Sequence, residues 1–487
     1  MSSPGVSAMS LYVPRLRVNL EDWCRWTDNS WEKISKVVGR SFRVCNTHEN
    51  VYTMAANAVL RLILQNDIDA TRIGFLGLGT ESSTDNAAGA VIVRGMVDMA
   101  LRQLGRAPLS RELEVPEFKH ACLGGVYALK AALRYVATDG AERLAVVVSA
   151  DVAEYERGST GEQTQGAGAV AMLVERTPKL FQVDLKNAGS ASDYRGPDFR
   201  KPFARHFTES YAPRTSRLSD FPVFSGKYST FSYLDETVHA VECMLEKLGV
   251  SAGQYYESVR GLFFHRPYHL MPVQAMSFLY VRGLARGDNH HEELRQLCSL
   301  ADVDFADVLT ETVSTPDLYG PIHRGEQPTD PYAATSKVAG VLRREPRFSN
   351  LLEQKMSLGS DPVMDLGNLY SAALPAWIAA GFEQAAREGR QLERQPLVAV
   401  GYGSGDAAES IPFSAVPGWE AAARCIHFTE ALEDAVDLSQ LEYEAMHDGR
   451  AVSLSCEPRC EFKISRVGSS YEPAFQDLGV EYYDYVA

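Results

Sequence analysis

No apolar run in this 487-residue chain approaches the ~18 residues that a membrane-spanning helix needs, so no such helix is expected. The first residues lead directly into Val6 to Val13, with no basic region ahead of a long apolar run. No secretory leader is therefore expected, and the protein reads as cytoplasmic. Positive charge is also scarce: 48 Lys and Arg stand against 63 Asp and Glu, a formal net charge of -15. This balance argues against nucleic acid or an anionic membrane as partner, although a local Arg and Lys cluster could still hold a phosphorylated small molecule. The eight cysteines contain no CxxC pair and form no dense framework, so reduced thiols are expected. Cys456 and Cys460, four apart and without a nearby His cluster, read as structural, and no metal site is expected.

What is present is an ordinary globular composition, 45% apolar, 23% charged and 10% aromatic, with length enough for two large halves. Within it, His-Ala-Cys-Leu-Gly-Gly at His120 to Gly125 stands out. Cys122 follows a short expected strand at Leu113 to Phe118 and opens a helical pattern with Val126, Leu129, Leu133 and Val136 on one face. A sulfur at a helix N-terminus is favoured as thiolate by unpaired N–H groups and the helix dipole. A buried structural cysteine is the alternative reading.

Other elements follow in chain order. Val6 to Val13 reads as a strand, Leu20 to Val38 as an amphipathic stretch with three Trp, and Val51 to Leu64 as a helix capped by Asn50. Ile73 to Leu78 is a buried strand running into Gly79, Thr80 and Glu81; Glu81 is either a working carboxylate at a strand end or the cap of a helix beginning near Thr84. A helix is expected at Ala88 to Leu104, a strand at Leu144 to Val148 ending in Asp151, and a small-residue strand at Gly166 to Leu173, after Thr164, with Leu180 to Leu185 as its hairpin partner. The alternation predicts an α/β layer structure with a mainly parallel sheet. Residues 187–224 read as a loop or insertion, then a helix near Tyr228 and a strand at Gly261 to Phe264 running into His265 and Arg266. Residues 287–353 read as helical pieces between polar turns. Asn368, Leu369 and Tyr370 open a helix interrupted by Pro375, and Leu397 to Val400 ends in Gly401, Tyr402, Gly403, Ser404 and Gly405. The halves are alike in pattern, a weak internal duplication, and the tail from Ser439 is expected to lie on the surface.

Glu81, Cys122 and His265 thus offer a carboxylate, a thiol and an imidazole at three separate strand ends. A cysteine hydrolase would use such a set. Acyl transfer is favoured by the Gly403–Ser404 turn, whose N–H groups could form an oxyanion hole, and by Asn368 as a neutral donor. Singly, each of these positions reads equally as turn or cap chemistry.

Together they resemble the hydroxymethylglutaryl-CoA synthase family of thiolase-type condensing enzymes. The resemblance runs through Gly79, Thr80, Glu81 and Asp85; Ala121, Cys122, Gly124 and Gly125; Asp151 to Tyr155; Thr164 and Gly166 to Leu173; and Pro222, Gly226, Lys227 and Ser229. It continues through Phe264, His265, Pro267 and Tyr268; Gly367, Asn368 and Tyr370; Tyr402 to Gly405; and Leu441 to Met446. It implies a duplicated thiolase-like fold, five-layered αβαβα, usually homodimeric, with halves at 1–186 and 187–487 and insertions at about 187–224 and 287–353. It implies further that Cys122 carries an acetyl group from acetyl-CoA, that Glu81 is the general base, and that His265 with Asn368 polarises the ketone of acetoacetyl-CoA. N–H groups at Cys122 and Ser404 would hold the thioester oxygen. Gly403, Tyr370, Thr164, Asp151 and Arg266 are the further substrate-binding candidates, and no resident cofactor is implied.

Two positions depart from the family. Leu123 stands where an aromatic residue commonly follows the nucleophile, and Leu270 where a lysine associated with the acceptor CoA is frequent; Arg266 and His269 are the nearby candidates to replace that lysine. The departure keeps a second reading open, a β-branching synthase of polyketide assembly that takes acyl groups from an acyl carrier protein. A third is a thiolase-like protein that binds acyl groups without condensing them.

Overall fold

A computed structural model describes residues 3–199, 221–223, 225–287, 290–450, 452, 454 and 456–487. Residues 200–220 and 224 of the expected first insertion lie outside the described residues. The ten strands of the central sheet are β1 Gly5–Tyr12, β2 Ile73–Gly79, β3 Glu117–Phe118, β4 Leu144–Ala153, β5 Gly166–Glu175, β6 Phe181–Val183, β7 Gly189–Ser192, β8 Gly261–Phe264, β9 Pro396–Gly403 and β10 Ala407–Ala415. They run in the order β8-β9-β10-β6-β1-β5-β4-β2-β3, with β7 also paired to β10. The helices that matter for the site are α1 Val51–Gln65, α2 Gly89–Gln103, α3 Gly124–Ala137, α4 Lys227–Leu248, α5 Leu270–Arg286 and α6 Ala373–Glu388. The result is a mixed α/β, thiolase-like fold.

The duplication is visible in the connectivity. In the first half β2 pairs parallel with β4, β4 antiparallel with β5, and β5 antiparallel with β1. In the second repeat β8 pairs parallel with β9, β9 antiparallel with β10, and β10 antiparallel with β6, a strand that lies ahead of the boundary expected at 186/187. An antiparallel contact of β1 with β6 carries the hydrogen bonding across from one half to the other.

The local reasons follow from the sequence. Asn50 closes a capping box with Thr53 at the start of α1, as expected. The Val and Ala run of β4 is buried from Leu144 to Asp151, as a strand covered on both faces must be. Residues 290–356 form the helices His291–Ala301, Phe305–Val313, Ala333–Leu342 and Pro346–Met356, among others, and Leu294, Leu297, Val338 and Phe348 extend the main core.

Several expectations are corrected. The sheet is mixed, since among the described pairings only β2–β3, β2–β4 and β8–β9 are parallel. Leu180 to Leu185 does not form a hairpin with β5, because β5 has β1 and β4 on its two sides and β6 pairs with β1 and β10 instead. Pro375 does not interrupt α6. It is the third residue of the helix, where the missing N–H would have no partner within the helix. The strand before Cys122 shrinks to Glu117–Phe118. The tail is anchored rather than superficial: Phe462 is fully buried beside α1, and Glu461 accepts a hydrogen bond from Tyr12 at 3.0 Å. Among the described residues no helix is long and apolar enough to cross a membrane.

The start of α3 is packed closely against both halves. A Cβ on Gly125 would lie 2.1 Å from Ser149 Oγ and 3.0 Å from the Ser371 carbonyl oxygen, and one on Gly79 would lie 2.4 Å from Gly125 itself. Gly125→Ala should therefore destabilise the protein by about 1–3 kcal/mol and lower its thermal midpoint, measured by calorimetry against the native chain.

Candidate active site

The turn His120–Gly124 presents the sulfur. Leu123 N–H bonds to the His120 carbonyl (2.9 Å) and Gly124 N–H to the Ala121 carbonyl (3.3 Å), with Ala121 held at a left-handed φ of 45°. Strained backbone of this kind persists where surrounding structure fixes it. α3 begins at Gly124, so Cys122 precedes the helix start by two residues. Its side chain packs in a buried group with Ala153, Tyr155, Tyr370 and Phe199. The Sγ–H donates to Glu81 Oε2 at 3.4 Å.

Glu81 is no helix cap. The helix expected near Thr84 begins at Gly89, and the N–H of Ala88 is taken by Asp85. What holds Glu81 is the fully buried Asp151 at the end of β4. Asp151 Oδ1 accepts from Thr80 Oγ1 (3.0 Å), Glu81 N–H (2.7 Å), Ser82 N–H (2.9 Å) and Ser82 Oγ (2.6 Å). Its Oδ2 accepts from the N–H (2.9 Å) and hydroxyl of Ser371, which belongs to the second half. Asp151 is thus a positioning residue rather than the substrate contact expected, and Ser371 is a member of the site that the sequence reasoning missed.

His265 stands at the end of β8, its N–H bonded to the Val400 carbonyl at 2.7 Å and its own carbonyl accepting from Tyr233 Oη at 3.1 Å. Its ring stacks near Tyr402, and neither ring nitrogen has a hydrogen-bond partner among the described residues. Asn368 is fixed by its N–H to the carbonyls of Thr164 and Gln165, both at 3.2 Å, and by Oδ1 accepting from Tyr370 N–H at 2.9 Å. Cys122, His265, Asn368, Thr164 and Ser404 line one cavity of about 380 Å³. Tyr370 stands behind the sulfur in its apolar group, and Gly403 packs against the nucleophile turn, where a Cβ would lie 2.5 Å from the His120 carbonyl oxygen.

Electrostatics separate the roles. Burial pushes the Cys122 thiol well above its ordinary value, and the negative charges of Glu81 and Asp151 add to the rise. The expected dipole-stabilised thiolate is therefore overturned in the resting protein. Desolvation and a full carboxylate beside the sulfur outweigh the fractional charge of a helix end. Burial alone drives His265 down to about 3, so the imidazole is neutral in the physiological range and can offer an N–H.

A family model described as "Hydroxymethylglutaryl-coenzyme A synthase N terminal" matches residues 2–179. A hydroxymethylglutaryl-CoA synthase of Haloferax volcanii is 26% identical over 485 residues, covering 98% of this chain and 99% of the relative. The chain is thus similar to hydroxymethylglutaryl-CoA synthases along nearly its whole length. It is an enzyme of the acyl-transferring condensing kind. The cytoplasmic synthase of Gallus gallus is 25% identical over 414 residues, covering 83% of this chain and 70% of the relative. Among solved structures, "MvaS in complex with 3-hydroxy-3-methylglutaryl coenzyme A" has a TM-score of 0.77 at 24% identity, covering 100% of both chains. The curacin-pathway HMG synthase in complex with acetyl donor-ACP has a TM-score of 0.70 at 19% identity, covering 99% of this chain and 100% of the other. These two show likeness of fold.

Both departures from the family have a structural account. Leu123 is fully buried against Gly401 and Gly403, which leave it room. Leu270 lies on the cavity wall, but neither proposed replacement for the lysine does. Arg266 is turned into the protein, donating to the carbonyl (2.9 Å) and hydroxyl (3.0 Å) of Ser360, meeting His269 Nδ1 at 2.7 Å and lying over the Trp377 ring. Burial and Arg40 lower it to about 9, and the paired His269 falls to about 4, mainly through its own burial. Arg266 is accordingly withdrawn as a substrate contact. Tyr155, Asp198, Tyr233 and Tyr402 also line the cavity and were not assigned from sequence. Asp198 sits in a stretch rich in Asp, Arg and Pro without periodicity, which gave no signal to single it out.

Because the Glu81 charge opposes ionisation of the neighbouring thiol, Glu81→Gln should lower the Cys122 pKa. Alkylation of Cys122 by iodoacetamide near neutral pH, followed by mass spectrometry, should speed up about tenfold per pKa unit removed.

Proposed function

We propose that this enzyme condenses an acetyl group, carried on Cys122 as a thioester, with acetoacetyl-CoA and releases hydroxymethylglutaryl-CoA and CoA. The observation that carries the reading is the 3.4 Å contact of Cys122 Sγ with Glu81, on a cavity that also holds His265 and Asn368. The thiol's raised pKa is overcome by passing its proton to Glu81 as sulfur attacks the acetyl-CoA carbonyl, so the nucleophile needs no standing charge. The bond from the acetyl carbon to the CoA sulfur breaks, Glu81 gives its proton to the departing CoA thiolate, and, again ionised, it then takes a proton from the acetyl methyl. N–H groups at Cys122 and Ser404 hold the enolate oxygen, each such donor supplying about 3 kcal/mol. The carbanion attacks the ketone, held by neutral His265 and Asn368, and water releases the product from the sulfur. On this reading the enzyme supplies the mevalonate route, as a homodimer with halves at 1–186 and 187–487.

Cys122→Ser should take up no label from radiolabelled acetyl-CoA; retained label would mean another nucleophile. Glu81→Ala, which removes the thiol's proton acceptor but also a charge that raises its pKa, should still acetylate with water taking the proton, while condensing about 10²–10⁴-fold more slowly, read as loss of acetoacetyl-CoA.

One observation favours the carrier-protein reading as a second possibility. Leu270, Met271, Tyr268 and Val38 make the cavity wall apolar where the family lysine is missing, and Lys227 is the one cation among its described lining residues. Supplying the acceptor in turn as a CoA ester and on a carrier-protein phosphopantetheine decides it. The primary reading expects turnover with the CoA ester, and turnover only with the carrier protein would replace it.

A further inference from the structure

The cavity wall carries a buried acid cluster that the reaction above leaves unused. Asp198 lines the cavity, is 1% exposed, and has one oxygen, Oδ1, without a partner. Its Oδ2 lies 2.7 Å from Tyr402 Oη, and Asp406 Oδ1 lies 2.7 Å from the same phenol. A phenol has one proton and donates to one acceptor, so it cannot satisfy two carboxylates. One of the pair must be a carboxylic acid that donates back to the phenol oxygen. Asp198 and Asp406 are also within hydrogen-bonding contact of each other.

Charge counting leads to the same place. Arg195, 2% exposed, is the cation facing the pair among the described residues, with Nη1 3.4 Å from Asp406. It is shared with Asp235 and Glu236 of α4 and with the half-exposed Asp193. His239 pairs with Asp235, and Tyr332 donates to it. Tyr228 of α4 and Cys122 feel the pair as well. One guanidinium therefore meets three buried carboxyl groups, Asp235, Glu236 and Asp406, with Asp198 behind the last, and these cannot all ionise in so dry a place. Burial, then the charge of Asp198, pushes Asp406 up to about 9, so it holds its proton at neutral pH.

The reaction needs such a proton. When the carbanion attacks the ketone, a full negative charge arrives on oxygen. His265 can donate a hydrogen bond to it, but a neutral imidazole that surrendered its only N–H proton would become an anion. We propose that the Asp198–Asp406 pair is the acid of the condensation step. This rests on the function proposed above. As the carbon–carbon bond forms, the carbonyl π pair moves to oxygen and that oxygen takes a proton delivered through Asp198, which receives in the same step the proton that Asp406 holds at rest. Asp198 is the catalytic acid, and Asp406 is a positioning residue that keeps the proton in the pair. The pair is left doubly ionised beside Arg195 and Tyr402, and the proton that Glu81 removed from the methyl group restores it, so the cycle closes.

The test is single-turnover condensation from the acetyl-enzyme across pH, in the full chain. In the native protein the rate falls on the alkaline side as the pair loses its proton. Asp406→Asn keeps the shape and removes the carboxyl that holds the proton, so the alkaline limb moves down by more than one pH unit. Near pH 8 condensation is then more than tenfold slower and recovers on acidification. An unmoved limb with a rate reduced at every pH means a structural role and overturns the inference. A measurement free of variants stands beside it: difference infrared of the native enzyme should show a carboxylic-acid stretch near pH 8 that disappears with the midpoint of the rate limb. Its absence overturns the shared proton. If the native enzyme condenses no acyl pair at all, the proposed function fails with the acid role, whereas normal condensation with an unmoved limb sinks this inference alone.

Discussion

A carboxylate buried completely inside a protein is tolerable only if donors replace the water it has lost, and Asp151 meets that demand by drawing on both halves of the molecule. One oxygen gathers Thr80, Glu81 and Ser82, and the other takes Ser371. The loop that bears the carboxylate next to the sulfur and the segment that bears Asn368 are thereby stitched to a single charge. The 3.4 Å separation of Cys122 and Glu81 rests on that stitch and on the close approach of α3 to β2 and β4 that Gly125 and Gly79 permit.

The same dryness sets the chemistry. Burial raises the thiol of Cys122, lowers the imidazole of His265 and raises the carboxyl of Asp406, each toward its uncharged form. A site built this way holds few standing charges and creates them during turnover, where aligned donors act without having to reorganise. The helix end near Cys122 matters less here as a thiolate stabiliser than as a scaffold for the turn.

The two halves repeat one connectivity, and their strand ends meet at the cavity. The first half brings Cys122 and Glu81, and the second brings His265, Asn368 and the Gly403–Ser404 turn. The halves then diverge: the second inserts helices between residues 290 and 356 that enlarge the core. Arg266 is buried against Ser360 and Trp377, which leaves this side of the cavity with an apolar wall around Leu270.

Much of this was legible in the chain itself. Apolar periodicity, a capping Asn50 and Val-rich runs gave most helices and strands near the site within a few residues, because these signals are local. The residue types Cys122, Glu81, His265 and Asn368 could be picked out because each follows or opens such an element. Strand direction and partnership could not be, since hydrogen bonding between distant strands leaves no mark in either one; hence β6 was assigned to the wrong neighbour. Nor could the sequence tell which side chains face the cavity. Arg266, adjacent to His265, points away from it, while Asp198 and Ser371, unremarkable in sequence, stand at its wall or directly behind it. Burial, ionisation and the sharing of one proton among several acids depend on what surrounds a group in space, and only the tertiary structure supplies that.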